Sequence, residues 1–305
     1  MQSASADVLH LGLLAARLSQ AAYEETHHGL MTALAQVPSE MVSNLSLVGF
    51  TIQEKDYKNF APQWYVAREG ADGAASRIFL VFRGAYSPFD ALRNLCVLPF
   101  AHGDGQYHGG FLGGLTGNNK LNDTLQKALY DNPCAELFVT GHSLGGAMAL
   151  TYVAAGLVPD TFEGCVTAVA IGSPAVLYTD PKNRSVQGPA GAARARLLAF
   201  ANRADVVPRV LGSPLAVSRI LFNSIPNLSH FQGVLNSLEN YSHIPRTQVV
   251  WVNPNGKGGA LAPLSDQHDA VLHVHKSFSR ALYIFGDHGL EGYIRGIETA
   301  LEHAV

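Results

Sequence analysis

Charge is scarce in this chain: Asp, Glu, Lys and Arg make up only 15% of its 305 residues, against 47% hydrophobic. That balance excludes a disordered chain and supplies enough apolar mass for a sizeable core. The 21 Lys and Arg are scattered and the formal net charge is −3, so there is no electrostatic footprint for nucleic acid. So low a charge leaves room for apolar surface patches, which suits a partner or substrate that is itself greasy. Cysteine is equally sparse. Cys96, Cys134 and Cys165 form no CxxC or Cys/His metal spacing, and their odd number argues against a complete disulfide framework. Buried or free thiols are expected, with one bridge plus a free thiol as the alternative. No run of about 18 apolar residues exists to cross a membrane. The first residues, "MQSASADVLHLGLLAARLSQAAYEE", lack a basic segment and carry Asp7 before the apolar stretch and Arg17 within it, unlike a signal peptide. Leu11, Leu14, Ala15, Leu18, Ala21 and Ala22 recur at helical steps, so this segment reads as an amphipathic helix belonging to the fold.

The rest alternates between strand and helix patterns. "LSLVGFTIQE" and "QWYVARE" alternate as paired strands, and "SRIFLVFRG" is almost continuously apolar from Ile78 to Phe82, as a strand covered on both faces must be. From Gly84 to Phe111 the pattern is irregular. A helix follows in "NNKLNDTLQKALYD", then a strand in "AELFVT" and a helix of small residues in "LGGAMALTYVAAGL". "GCVTAVAIGSP", "ARLLAFANRAD", "TQVVWVN" and "RALYIFG" supply further strands. Strands alternating with helices at this spacing predict an α/β fold with a mostly parallel sheet. No linker, repeat or low-complexity block divides the chain, so residues 1–305 are expected to form one domain.

Within "LFVTGHSLGGAMAL", the pentapeptide Gly141-His142-Ser143-Leu144-Gly145 sits between a predicted strand and a predicted helix. A tight turn there lifts a serine clear of the sheet, and glycines on either side leave room for the strain. The helix starting at Leu144 directs its free N–H groups and positive dipole end at the same point, suiting a developing oxyanion. A serine hydroxyl needs a neighbouring base, and in this architecture the acid and then the histidine follow it in sequence. Asp205, just after the strand in "FANRADVVPRV", is the candidate acid, with Asp180 as rival. Among 13 histidines, His288 in "YIFGDHGLEGYI" is the candidate base, with His243 as rival. His142 is too close to Ser143 along the backbone to act as base and is expected to hydrogen-bond or pack. His273 and His275 share one strand face, with His268 and Asp269 near, and a surface role is preferred there over a metal site. The Ala85 N–H, at the turn after "FLVFRG", is the natural second oxyanion donor beside that of Leu144.

These pieces in order, "VFRG", "YHGGF", "VTGHSLGGAMA", "NRADVVPRV", "YSHIPRTQVVWV" and "DHGLEGY", closely resemble the class 3, fungal-lipase-like branch of the α/β-hydrolases. The resemblance runs from about Ile78 to Tyr293. It implies a serine esterase acting on acylglycerols or related lipid esters at a transient lipid–water interface, without metal or cofactor. It carries Ser143 as nucleophile, Asp205 as orienting acid and His288 as base, and gives His243 a structural motif before a strand. The runner-up activity is phospholipase A, and a catalytically silent lipid- or partner-binding fold is the remote third. The chain departs from the family at Ala85, where a Ser or Thr hydroxyl is common, and at "LRNLCVLPF", where a tryptophan-and-aspartate pattern is usual. The resemblance also implies a lid at about residues 86–98, with Tyr86, Phe89, Leu92 and Leu95 spaced three apart on one helical face and Pro88 near its start, the alternative being a fixed helix packed on the core. The apolar segment from Gly212 to Leu238 is expected to shape the acyl pocket or add a second cover, or else to pack as plain helix.

Overall fold

The apolar run at Ile78–Phe82 becomes the middle of a twisted sheet, and every residue of it is 0% exposed. The computed structural model describes residues 2–52, 62–70, 75–85, 99–179, 189–203, 205, 207–210, 240–253, 260–262 and 287–304. In chain order the elements are β1 (Gln2–Ser3), α1 (Ala6–Ala21), α2 (His27–Ala35), β2 (Leu45–Thr51), β3 (Trp64–Glu69) and β4 (Arg77–Phe82). There follow β5 (Pro99–His102), β6 (Gly105–His108), α3 (Gly109–Thr116), α4 (Asn119–Asp131), β7 (Glu136–His142), α5 (Leu144–Ala154), β8 (Val166–Ile171) and β9 (Leu177–Tyr178). The last are α6 (Ala190–Ala193), β10 (Ala195–Asn202), α7 (Val207–Val210), β11 (Tyr241–Ser242), β12 (Gln248–Val252), β13 (Ala260–Ala262) and α8 (Leu290–Glu302).

The main sheet runs β1-β13-β12-β10-β8-β7-β4-β3-β2. Its five central strands, β12 to β4, are parallel, and antiparallel strands close it at each side. Side chains leave a strand on alternate faces, so one apolar run feeds two cores. Ile78, Leu80 and Phe82 join Leu137, Val139 and Ala168 under α3, α4 and α5. Phe79 and Val81 join Phe138, Val169, Leu198 and Phe200 under α1, α2 and α8. The predicted α/β fold with a mostly parallel sheet is thus present, and the alternation puts helices on both of its faces.

α4 is the plainest amphipathic helix: Leu121, Leu125, Ala128 and Leu129 are its buried residues, and the Asn118 side chain caps its start by accepting from the Leu121 N–H at 3.1 Å. α1 buries more than the stripe read from sequence. Leu9, Leu13 and Ala16 are buried beside Leu14, Ala15 and Leu18, whereas Leu11 is only half-buried. The reason is that α1 is covered twice, by the sheet and by α8, to which Arg17 bridges through Glu298 at 2.7 Å. Gly12 marks the closest approach, where a Cβ would lie 2.5 Å from Cε1 of Phe200. The irregular region also holds structure that periodicity missed. β5 and β6 form a hairpin around Gly103, and with β9 and β11 they build a second, antiparallel sheet of four strands among the described residues. Its strands span two to four residues, too short for alternation to register. The expected strand "RALYIFG", the expected lid with Tyr86, Phe89, Leu92 and Leu95, the segment 212–238 and the His268–His275 cluster lie outside the described residues. Among the described residues no helix is long and apolar enough to cross a membrane. Cys134 and Cys165 are free thiols and exposed, and Cys96 is outside the described residues.

Candidate active site

The parallel register brings the C-terminal ends of β4, β7, β8 and β10 to one edge. Phe82 pairs with Gly141, His142 with Ile171, and Ile171 with Phe200. The residues that follow, 83–85, 143, 172, 203 and 205, therefore converge, as loops at the carboxyl ends of such strands do. Ser143 occupies the turn between β7 and α5 at φ 58° and ψ −123°, a conformation costing a side-chain-bearing residue on the order of 1–3 kcal/mol. Its N–H is tied to the Ile171 carbonyl at 2.8 Å. The flanking glycines are sterically required. A Cβ on Gly141 would lie 2.7 Å from the Phe82 carbonyl oxygen, and one on Gly145 would lie 2.8 Å from the Arg83 carbonyl carbon.

The sequence candidates meet at this turn. The Ser143 Oγ is 2.8 Å from His288 Nε2, and His288 Nδ1 is 2.8 Å from Asp205 Oδ2. All three side chains are buried. Nδ1–H donates to the carboxylate, which leaves Nε2 unprotonated to accept from the Ser143 hydroxyl. Burial by itself would raise the Asp205 carboxyl. The opposing charge of His288 and hydrogen bonds from His288, Tyr293 and the Val207 N–H outweigh it and hold the carboxyl below its ordinary value. Tyr293 Oη donates to Oδ2 at 2.5 Å and the Val207 N–H to Oδ1 at 2.9 Å. The rival His243 follows β11, a strand of the second sheet, and Asp180 is outside the described residues.

His142 hydrogen-bonds structurally, as expected of it. Its Nε2 is 2.8 Å from the His288 carbonyl oxygen and its Nδ1 is 2.8 Å from the Tyr23 hydroxyl. Burial, and next the charge of His288, push its pKa down to about 3. It is therefore neutral at ordinary pH.

Ala85 is half-buried, just past Gly84, where a Cβ would lie 3.3 Å from Cβ of Ser143. The turn carrying Ala85 thus rests directly against the nucleophile. Leu144 opens α5, and a first-turn N–H has no partner within its own helix. Three residues carry weight here that sequence reasoning did not assign. Tyr293 sits in the quoted "DHGLEGY" without a role, and Tyr23 follows the first helix with no motif around it. Gly172, at φ 61°, lies under the acid–base pair, where a Cβ would be 3.2 Å from Asp205 Oδ2 and 3.2 Å from His288 Cε1. Among the described residues no group of three or more His, Cys, Asp or Glu could hold a metal ion.

Comparison with known proteins bears on this geometry. The family model described as "Lipase (class 3)" matches residues 79–214, from β4 to beyond Asp205. The fold is similar to that of a triacylglycerol lipase from Penicillium expansum, at 15% identity, 88% of each chain covered and a TM-score of 0.59. It is also similar to the lipase of the Rhizomucor miehei lipase–propeptide complex, at 17% identity, covering 87% of this chain and 75% of that one, with a TM-score of 0.55. A lipase from Rhizopus microsporus var. chinensis matches at 17% identity over 83% of this chain and 77% of its own, with a TM-score of 0.56. Identities this low carry the fold, which is the α/β-hydrolase fold of the fungal lipases. A search of curated proteins returns no match to the sequence.

Proposed function

From a chain that matches the class 3 lipases over residues 79–214, we propose a serine carboxylester hydrolase, most simply a triacylglycerol lipase or short-acyl esterase. The observation that supports it is the unbroken chain of hydrogen bonds from Ser143 through His288 to Asp205, with Ser143 held at φ 58° on the turn. The Ser143 Oγ attacks the ester carbonyl carbon as its proton passes to His288 Nε2. The imidazolium is stabilised by Asp205, and the tetrahedral oxyanion by the Ala85 and Leu144 N–H groups. Collapse expels the alcohol, protonated by His288, and leaves an acyl-serine. Water, deprotonated by His288, then releases the acid. Alanine at position 85 offers only its backbone N–H, where a serine or threonine would add a hydroxyl.

The test is covalent. A fluorophosphonate probe should label the native chain and not Ser143→Ala, and Ser143→Ala should lose ester hydrolysis by several orders of magnitude. A native chain that resists the probe in detergent would sink the reading. Parallel assays on triglyceride emulsion and phosphatidylcholine vesicles set the substrate class. Faster attack on the vesicles would replace lipase by phospholipase A.

A further inference from the structure

We infer that Tyr23 and His142 form a two-residue strut that fixes the His288 loop relative to the turn carrying Ala85, so both are positioning residues for the proposed hydrolysis. The inference rests on that reading of the site and adds to it. The bonding directions are set by elementary chemistry. The His288 carbonyl can only accept, so His142 Nε2 must carry the proton and donate to it at 2.8 Å. In a neutral ring the other nitrogen, Nδ1, is then an acceptor, so the Tyr23 hydroxyl donates to it at 2.8 Å. The result is a single chain, Tyr23 O–H to His142 Nδ1, then His142 Nε2–H to the carbonyl of the base itself. Each link fixes the direction of the next.

The far end of the strut is anchored on the oxyanion turn. The Arg83 guanidinium lies over the Tyr23 ring at 5.3 Å from its centroid, and Arg83 is itself held by Gln63 at 2.5 Å. Gly84 is packed so closely on Tyr23 that any Cβ there would collide with the phenolic oxygen. Tyr23 comes from the segment after α1, His142 from the end of β7 and His288 from the segment before α8. Three chain regions far apart in sequence are thus joined at one point behind the nucleophile. The His142 and His288 rings lie 4.7 Å apart, so the strut also packs flank to flank with the base. Two alignments must hold together for acyl transfer: His288 Nε2 on Ser143 Oγ, and the Ala85 and Leu144 N–H groups on the oxyanion. Displacement of either by about 1 Å costs up to about a hundredfold in rate. A strut spanning both is a device for keeping them in register.

The experiment compares Tyr23→Phe, His142→Leu and His142→Gln with the native chain on a soluble short-acyl ester, alongside fluorophosphonate labelling rates. Tyr23→Phe keeps the packing and removes only the hydroxyl. It should lower kcat and the labelling rate about 5- to 20-fold with KM within about twofold, because alignment and not substrate binding is lost. His142→Leu removes both links and should lose about 100-fold. His142→Gln restores an N–H near the old Nε2 position and should recover most of that loss, which a generic packing role does not explain. If Tyr23→Phe labels and turns over within about twofold of native, or Gln rescues no better than Leu, the strut is overturned while the hydrolase reading stands. A native chain that no fluorophosphonate labels removes the hydrolase reading, and the strut with it.

Discussion

At the scale of single residues, the buried carboxylate is the point of greatest leverage. Asp205 is 0% exposed, and a bare carboxylate there would be driven toward its neutral form. It stays ionised because its two oxygens are occupied by His288, Tyr293 and the Val207 N–H. Tyr293→Phe removes one of those donors without changing the packing. A hydrogen bond to a charged group is worth about 1.5–3 kcal/mol, and that support matters most when His288 carries its positive charge. If about 1.4 kcal/mol of it acts in the transition state, kcat falls about tenfold. We expect that drop at unchanged KM on a soluble ester; equal activity would mean that the remaining donors suffice. That Ser143, Asp205 and His288 come together was legible in the sequence because each ends a recognisable strand or opens a glycine-bounded loop in the order Ser, Asp, His. Tyr23, Gly172 and Tyr293 were not, because their roles depend on which distant backbone they touch. Periodicity carries no information about that.

At the scale of elements, the legible parts were those whose environment repeats. β4 reads directly because both of its faces are covered, and α4 because one face of it is. α1 was placed correctly but its buried face was drawn too narrow, since a helix covered by both sheet and helix keeps only a narrow exposed stripe, here Asp7, His10 and Gln20. The hairpin of β5 and β6 went unread because each of its strands is only four residues long, too short for alternation to register. The seating of α1 on the sheet is set by Gly12, which faces the ring of Phe200 with no room for a methyl group. Gly12→Ala would ordinarily favour a helix by about 0.8–1 kcal/mol. Here the clash should win, with a net destabilisation of about 1–3 kcal/mol in urea unfolding. Phe200→Leu opens the space while leaving a cavity of its own. The double variant should therefore be less destabilised than the sum of the single ones, by at least about 0.5 kcal/mol. Strict additivity would show that α1 shifts freely over the sheet and that Gly12 is not what seats it.

At the scale of the whole molecule, the buried ionisable groups of the site couple its integrity to pH. His142 is neutral in the folded chain down to about pH 3, and in the unfolded chain it takes up a proton near its ordinary value of 6.5. The groups facing it are His288, Asp205 through that ring, the hydroxyl of Tyr23 and the ring of Tyr293. Between those two pH values the unfolded state binds more protons, so stability rises with pH and is lost as the pH falls from about 6.5 toward 3. Asp205 has the same sign in a lower window. Its carboxyl is held below the ordinary value of 3.8, so its contribution is present above that pH and lost as the pH falls through the folded value. One histidine with such a depressed value should cost about 2 kcal/mol of unfolding free energy between pH 6.5 and pH 5, at about 1.4 kcal/mol for each unit. His142→Gln deletes the titrating ring and keeps a hydrogen-bonding amide. Urea midpoints measured at pH 7.5 and pH 5 should then fall less in His142→Gln than in the native chain, whatever their absolute values. Equal falls would mean that the acid sensitivity of the fold comes from other groups and that the ring beside Ser143 is reached by water.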